Sequence, residues 1–471
     1  MENIIAQQMV KMQGEILGKI REEGLKDIGN TAEALLRVIK ENTCELLRAI
    51  LETTDTAIAE AKATRKADGL KVKERGVKRG LQTSLGEIEY RRTYYETAEG
   101  EYVYLLDHLI GVEPYERVSK ALCAKLVNLA AEMSYGKSAD VGEAGVSRQT
   151  VSNKVNALRE VVQDVERVKA TPEELHLFAD EDHVHLKDGR NAIVPLVTIS
   201  EGNDTSDPKR HRLINPLHIA GYGMDTEAFD DQVEACVYER YDLDKVKRIY
   251  IHGDGASRIA ALGERFPNAS HVLDGFHLEK YLKKLGHYNG AAQRMGALRA
   301  ALRDGNWKTY KKLLESIYAL QDGKDRENCK KIILYLWNNR QAAHLRYSPD
   351  ICGSCTESLV SHVLSERLSR TPLAWSERGL EKMTMLVVFR KNGRKVTARD
   401  IRVSLTREEQ DREALAHRDG WNKYNGYMNR QIDSILSANW TSAFEKETVS
   451  FGRVDASFVI RKAFGSLRSV I

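Results

Sequence analysis

Between the N-terminus and about residue 75, apolar side chains recur at three- and four-residue steps, with charges between them and no proline. Leu17, Ile20, Leu35, Leu36, Ile39, Leu46, Leu47 and Ile50 carry the pattern. The spacing predicts amphipathic helices, a helical arm over residues 1–78 that packs on itself or on a second copy. From Thr83 to Tyr104 the period shortens. "LGEIEYRRTYYE" and, after a Glu99-Gly100 turn, "GEYVYLL" predict a hairpin or small sheet over 79–110. Helical spacing returns at Tyr115 and runs to about Val168, a helical region of 111–168.

Inside that region lies "GEAGVSRQTVSNKVNAL" (Gly142 to Leu158). One helix ends at Gly145, Val146 fills the turn, and Ser147 is placed to N-cap the next helix. That helix presents Arg148, Gln149, Ser152, Asn153 and Lys154 on its polar side, with Val151, Val155 and Leu158 turned to a core. The layout is that of a helix-turn-helix with a polar recognition helix, and any capped helix hairpin shares it.

Next, "ELHLFADEDHVHLKDGRNAIVPLVTI" (Glu173 to Ile199) reads as two strands joined at Lys187-Asp188-Gly189. Side chains alternate along a strand, so Asp180 and Asp182 share a face with Val184 and Leu186, while Glu181 points away with His183 and His185. Acidic residues in an apolar strand are costly without a cation or partner; an exposed edge strand would also carry them. "YIHGDGASRI" is a further strand, with Asp254 just past its end, either in a tight turn or as a carboxylate at a strand terminus. A helix from Ala256 stops at Arg265-Phe266-Pro267. The short strand "HVLD" leads into a helix beginning "GFHLEKYL", where Asp274 can be an N-cap and also forms an Asp-x-x-His pair with His277.

These strands predict a mixed α/β core, 169–278, that resumes at 350–395 after an all-helical insertion at 279–349. In "CGSCTESLVSHVLSERLSR", Glu357 heads the helical stripe Val360, Ser361, Leu364, Leu368, so it is turned toward the core; Ser354 and Glu357 also fit a capping box. Glu366 flanks the stripe. A basic, helical tail occupies 396–471.

Composition narrows the class. The 471 residues carry a net charge of +4, 42% apolar and 30% charged residues, ordinary for a globular chain. No apolar run approaches the ~18 residues of a membrane span and Met1 to Val10 lacks a signal-peptide pattern, so a cytoplasmic location without membrane contact is expected. Six cysteines make no disulfide framework, and Cys352/Cys355 form a lone C-x-x-C. Charge is clustered, however. Lys62 to Arg79 holds eight basic residues against Asp68 and Glu74, and Arg390 to Arg402 holds six against Asp400. Each cluster is either a phosphate-contact surface or a solvated loop.

Carboxylates at Asp180, Asp254 and Glu357, brought to one sheet edge, would repel one another unless cations neutralised them. All-oxygen donors suit Mg²⁺ or Mn²⁺, and two such ions about 3.5–4 Å apart can clamp both oxygens of an in-line phosphoryl displacement.

The order Asp180, "GDG" at Asp254, Asp274-Gly-Phe-His277, a helical insertion and Glu357 resembles the DDE transposases with an RNase H-like core, most of all the Mutator-like bacterial insertion-sequence group. "ADEDHVHLKDGR", "FPNASHVLDGFHLEKYL" and "RTPLAWSERGLEKM", with "TSLGEIEYRRTYYE" and "VSRQTVSNKV" upstream, are similar to the family catalogued as uncharacterised protein family 0236, over roughly residues 80 to 395. The resemblance implies an RNase H-like mixed sheet flanked by helices. It implies Asp180, Asp254 and Glu357 as catalytic carboxylates and ligands of two Mg²⁺ or Mn²⁺ ions, with Asp182 as an alternative first ligand and Asp274/His277 as a supporting pair. It also implies double-stranded DNA as partner, both element ends and target, and a homodimer or larger assembly. A tryptophan is usual where Arg258 stands. The rival expectations are a catalytically silent DNA-binding regulator derived from a transposase, a plain nuclease, and a C-x-x-C oxidoreductase.

Overall fold

The structure, a computed structural model, describes residues 2–23, 27–142, 145–158, 165–204, 206–207, 212–348, 351, 353, 355–370 and 374–401. The described residues divide into two compact units, one within 1–117 and one within 118–401.

In the first unit, helices α1 (Glu2–Glu23), α2 (Ile28–Glu60) and α3 (Lys62–Ala67) form the arm expected from the periodicity. The expectation fails at its end. Strand β1 (Lys71–Thr83) begins inside the segment assigned to the arm and pairs antiparallel with β2 (Gly86–Glu96); β3 (Tyr102–Val103) adds only a two-residue rung. Charges on β1 hid the strand: Lys71, Lys73, Arg75 and Lys78 are exposed, and register shifts between Val72 and Val77 break its alternation. The remaining edge of β2 is sealed by α2, whose Glu52 and Asp55 accept from the main-chain N–H of Arg91 (3.1 Å) and Thr93 (2.9 Å). Of the first basic cluster, Arg65 is buried and donates to Ala59 O (2.6 Å), and Arg79 donates to Glu113 O (2.8 Å) and Glu116 O (2.6 Å). Helix α4 (Leu105–Leu109) completes the unit.

The second unit is built on a five-stranded mixed sheet. Its strands are β4 (Glu174–His185), β5 (Asn191–Ser200), β8 (Leu217–Ala220), β9 (Arg248–Gly253) and β10 (Ala269–Leu273); β6 (Asn203–Asp204) and β7 (Arg212–Leu213) form a separate ribbon. The spatial order is β10-β9-β4-β5-β8. Strand β4 is antiparallel to β5 and parallel to β9, β9 is parallel to β10, and β5 is antiparallel to β8. Numbered along the chain, this is 3-2-1-4-5 with only the second strand reversed. Leu175 to Ala179 are buried on both faces; from Asp180 onward the strand alternates, with Asp182, Val184 and Leu186 in and Glu181, His183 and His185 out, as expected. The β4–β5 turn closes at Gly189, whose φ of +86° admits glycine readily.

Helices cover both faces. On one, α8 (Thr226–Arg240) and α9 (Ser257–Glu264) bring Phe229, Val233 and Leu262 against Leu177, Val197 and Ile251. On the other, α5 (Lys120–Ala130), α6 (Tyr135–Gly142), α7 (Arg148–Asn156), α15 (Thr356–Val360), α16 (Glu366–Leu368) and α17 (Glu377–Lys391) share one core with Val184, Leu186, Val194 and Leu196. The helices at 120–156 are therefore part of the layer on the sheet. Arg367 ties that layer together. It is buried, donates to Ala130 O (2.7 Å), and lies between the rings of Tyr135 and Trp375, at 5.5 and 4.9 Å. The insertion consists of α10 (Gly275–Gly286), α11 (Met295–Arg303), α12 (Trp307–Tyr318), α13 (Gly323–Asn338) and α14 (Arg340–Leu345), around its own core of Leu282, Leu298, Leu314 and Leu336.

The second basic cluster is partly structural. Arg390 pairs with Glu132 and Lys391 with Glu366 (3.2 Å), and Val396 exchanges two main-chain hydrogen bonds with the Asn128 side chain, folding the chain back onto α5. Arg402 and the rest of the tail expected at 396–471 lie outside the described residues.

Candidate functional site

Strand β9 ends while β4 runs on, and the loop after β9 lies at that step. The register pairs Phe178 with His252; two residues further stand Asp180 on β4 and Asp254 in the loop. Asp180 is half-buried, and its carboxyl is pushed up to about 6, first by burial and then by the negative charges of Glu357 and Asp254; a hydrogen bond from Glu181 N (2.9 Å) and the charge of His277 act the other way. Four residues from three distant stretches, Asp180, Asp254, His277 and Glu357, thus lie close enough for their charges to be felt at one atom group.

Asp182 belongs elsewhere. It is buried, and both its carboxylate oxygens accept from Ser369 Oγ at 3.0 Å, with Ser365 as a second donor. Burial raises its pKa and the serines offset that. Its partners are the two serines, whereas Asp180 is the carboxyl that feels the charges of Glu357 and Asp254.

The turn at Asp254 has a reason visible only in three dimensions. Its carboxylate accepts from Ala256 N (2.9 Å). A Cβ on Gly253 would sit 2.8 Å from the Ile259 side chain and 3.2 Å from Ala179 O, and one on Gly255 would sit 2.6 Å from Asn339 Oδ1. Gly255 also has φ +83°. Both glycines are demanded by the protein's own packing.

Asp274 is buried and does cap its helix, accepting from Phe276 N (2.8 Å) and His277 N (3.2 Å). Its other oxygen accepts from Thr356 Oγ1 (2.6 Å), and its own N–H donates to Gly253 O (2.7 Å). One residue therefore joins the end of β9, through its N–H, to the start of α10 and the residue before Glu357, through its carboxylate. His277 Nδ1 is 3.5 Å from Asp274 Oδ2, and its pKa is raised chiefly by Asp274, then by the charges of Asp180 and Asp254, against burial.

Glu357 departs from expectation in one respect. Thr356, not Glu357, heads the buried stripe that continues through Val360, Val363, Leu364 and Leu368; Glu357 is exposed in the first turn of α15. A π-helical turn at Ser361–Ser365 follows directly. The suggested cap Ser354, like Cys352 of the C-x-x-C pair, lies outside the described residues. Arg258 packs on α8, its guanidinium 5.1 Å from the Phe229 ring centre and 3.7 Å from Asp230.

On α7, Ser147 Oγ accepts from Thr150 N (3.2 Å), as expected of an N-cap. Val151 and Val155 are fully buried; Arg148, Gln149 and Asn153 are exposed, and Ser152 and Lys154 half-buried. Gln149 donates to Asn153 Oδ1 (2.8 Å).

Sequence reasoning missed Tyr335, Asn339 and Thr356. Tyr335 Oη donates to Asp254 O (2.5 Å), and its ring stacks on Tyr281 at 3.7 Å and 14°. Nothing in a helical repeat singles out such a residue; Thr356 had only its adjacency to Glu357.

As placed, no three His, Cys, Asp or Glu side chains among the described residues are gathered closely enough to hold a metal ion. The donor chemistry nonetheless fits a hard divalent cation: all-carboxylate oxygens, with Asp180 carrying a proton affinity that a neighbouring cation would lower.

Comparison with known proteins places the chain. The model of the uncharacterised protein family UPF0236 matches residues 21–404. The chain belongs to this family. A UPF0236 protein of Caldanaerobacter subterraneus subsp. tengcongensis is 36% identical over 402 residues, covering 83% of this chain and 84% of its own, and a second from that organism is 36% identical over 389 residues, covering 80% and 82%. A UPF0236 protein of Streptococcus gallolyticus, named for the vanSb 3′ region, is 25% identical over 330 residues, covering 65% and 71%.

Proposed function

We propose that this UPF0236 protein is a DDE-type DNA transposase of the Mutator-like group, cutting and joining DNA at the ends of its insertion sequence. The observation that carries the reading is that the charges of Glu357 and Asp254 both reach Asp180 at the step between β4 and β9, adding to the burial that raises its pKa. The strand order, with only the second strand reversed, is the one expected of an RNase H-like core. A further support comes from the relatives: one Caldanaerobacter protein carries eleven locus designations in its name and another carries four. One protein at many loci is what a mobile element leaves behind.

On this reading Asp180, Asp254 and Glu357 hold Mg²⁺ or Mn²⁺. When bound there, such ions would supply Lewis-acid activation of the attacking water or 3′-hydroxyl and charge stabilisation of the leaving oxygen. Asp274 fixes the spacing of Asp254 and Glu357 through Gly253 and Thr356. His277, with its raised pKa, offers a proton or positive charge to a phosphate oxygen beside the carboxylates. Arg148, Gln149, Ser152, Asn153 and Lys154 are the side chains offered to DNA, the amides to base edges and the cations to phosphates.

The test is incubation of the purified protein with duplexes bearing the sequences that flank its gene, in Mg²⁺ or Mn²⁺. Strand breaks at defined flanking positions support the reading. Specific binding of the duplex with no breaks in either metal would replace it with the silent regulator.

A further inference from the structure

The loop carrying Asp254 is held by more than its own turn. Gly253 O accepts from Asp274 N (2.7 Å), Asp254 Oδ1 from Ala256 N (2.9 Å), and Asp254 O from the Tyr335 hydroxyl (2.5 Å). The last of these contacts comes from the helical insertion. Tyr335 lies on α13, half-buried, with its ring stacked on Tyr281 of α10. One turn on, Asn339 lies against Gly255, close enough that no Cβ fits there, while its amide donates to Tyr335 O (3.0 Å).

The insertion could have been attached at its ends alone. Instead a tyrosine from its fourth helix, α13, reaches the main chain of the residue expected to bind metal. A phenol–carbonyl bond of this kind fixes the peptide plane that sets the direction of the Asp254 side chain. The stack on Tyr281 fixes the phenol, and Asn339 blocks the loop from moving toward α13.

We infer that Tyr335, seconded by Asn339, is a positioning residue that aims the Asp254 carboxylate, so that the helical insertion is a working part of the metal site. This rests on Asp254 being a metal ligand, as proposed above. Tyr335 touches neither substrate nor metal in this account and acts only through Asp254.

Mn²⁺ binding to the full-length protein, followed by titration calorimetry, tests it without requiring turnover. Tyr335→Phe keeps the ring and its stack and removes only the hydroxyl. Tyr310→Phe, in the same insertion, removes a buried hydroxyl that has no hydrogen-bond partner among the described residues and is the control. The expected result is an Mn²⁺ dissociation constant raised about fivefold by Tyr335→Phe, the equivalent of one hydrogen bond, and unchanged by Tyr310→Phe. In cleavage assays kcat should fall while KM for DNA holds. Equal Mn²⁺ affinity in wild type and Tyr335→Phe overturns the inference, as does equal weakening by both variants, which would mark general loosening. Absence of Mn²⁺ binding by wild type overturns it too. If Tyr335→Phe weakens Mn²⁺ binding but wild type cleaves no DNA, the positioning role stands and the transposase reading falls.

Discussion

Asp254 stands between two glycines because Ile259, the Ala179 carbonyl and Asn339 leave no room for a Cβ on either side. At this scale substitutions have separable effects. Gly255→Ala forces a side chain into a φ of +83° and against Asn339, and should cost about 1–3 kcal/mol; an unchanged denaturant midpoint would contradict the packing account. Buried histidines give a second expectation. His176 and His218, on adjoining parts of one sheet face, are each lowered to about 4 by burial, and His218 Nδ1 lies 2.9 Å from Thr198 Oγ1. With the folded pKa below the unfolded value, the unfolded chain binds the proton more readily. Stability is then fully present above about pH 6.5 and is lost as pH falls toward 4, by up to about 3 kcal/mol for each group. His218→Gln should flatten the slope of stability between pH 7 and 5; an equally steep slope in the variant would assign the acid sensitivity elsewhere. Alternation in β4 made the inward face of Asp180 and Asp182 legible beforehand. Which of the two joins the cluster was not legible, since Ser369 is far away in sequence and adjacent only after folding.

Among the elements, the helices of the arm and of the insertion followed from three- and four-residue spacing, and the β4–β5 hairpin from its Asp188-Gly189 turn. Strand β1 did not, because an open edge rich in lysine lacks the apolar alternation by which strands are read. The layer on the sheet depends on Arg367. Arg367→Met keeps much of the volume but deletes the donor to Ala130 O and the cation between Tyr135 and Trp375; Arg367→Ala adds a cavity. Thermal unfolding should show Ala worse than Met, with a loss of about 3–5 kcal/mol for Ala. Equal and small losses would mean that the layer is held by its apolar contacts alone. On the proposed function, Lys154→Ala on α7 should weaken DNA binding across all sequences and lower the salt slope by about one, whereas Asn153→Ala should lose about 1–3 kcal/mol of preference for flanking DNA. Identical salt slopes and preferences in both variants would remove α7 from the DNA surface.

For the molecule as a whole, the order of the strands was out of reach of local pattern. β4 pairs with β9, more than sixty residues on, and only that pairing brings Asp180 level with Asp254. Glu357 arrives from beyond the insertion, on a helix that buries Thr356 instead. Three carboxylates were legible as residue types in order; their meeting was legible only through resemblance. Whether these carboxylates do chemistry on DNA decides the function. Its most direct measurement is strand joining: pre-cut flanking ends, a target plasmid and Mg²⁺ or Mn²⁺, with Asp180→Asn, Asp254→Asn and Glu357→Gln alongside wild type. Wild type should give joined product, each variant should lose at least about a hundredfold, and all four proteins should still bind the ends. Joining that survives in any of the three variants would contradict the assignment, and ends bound but never joined by wild type would contradict the function.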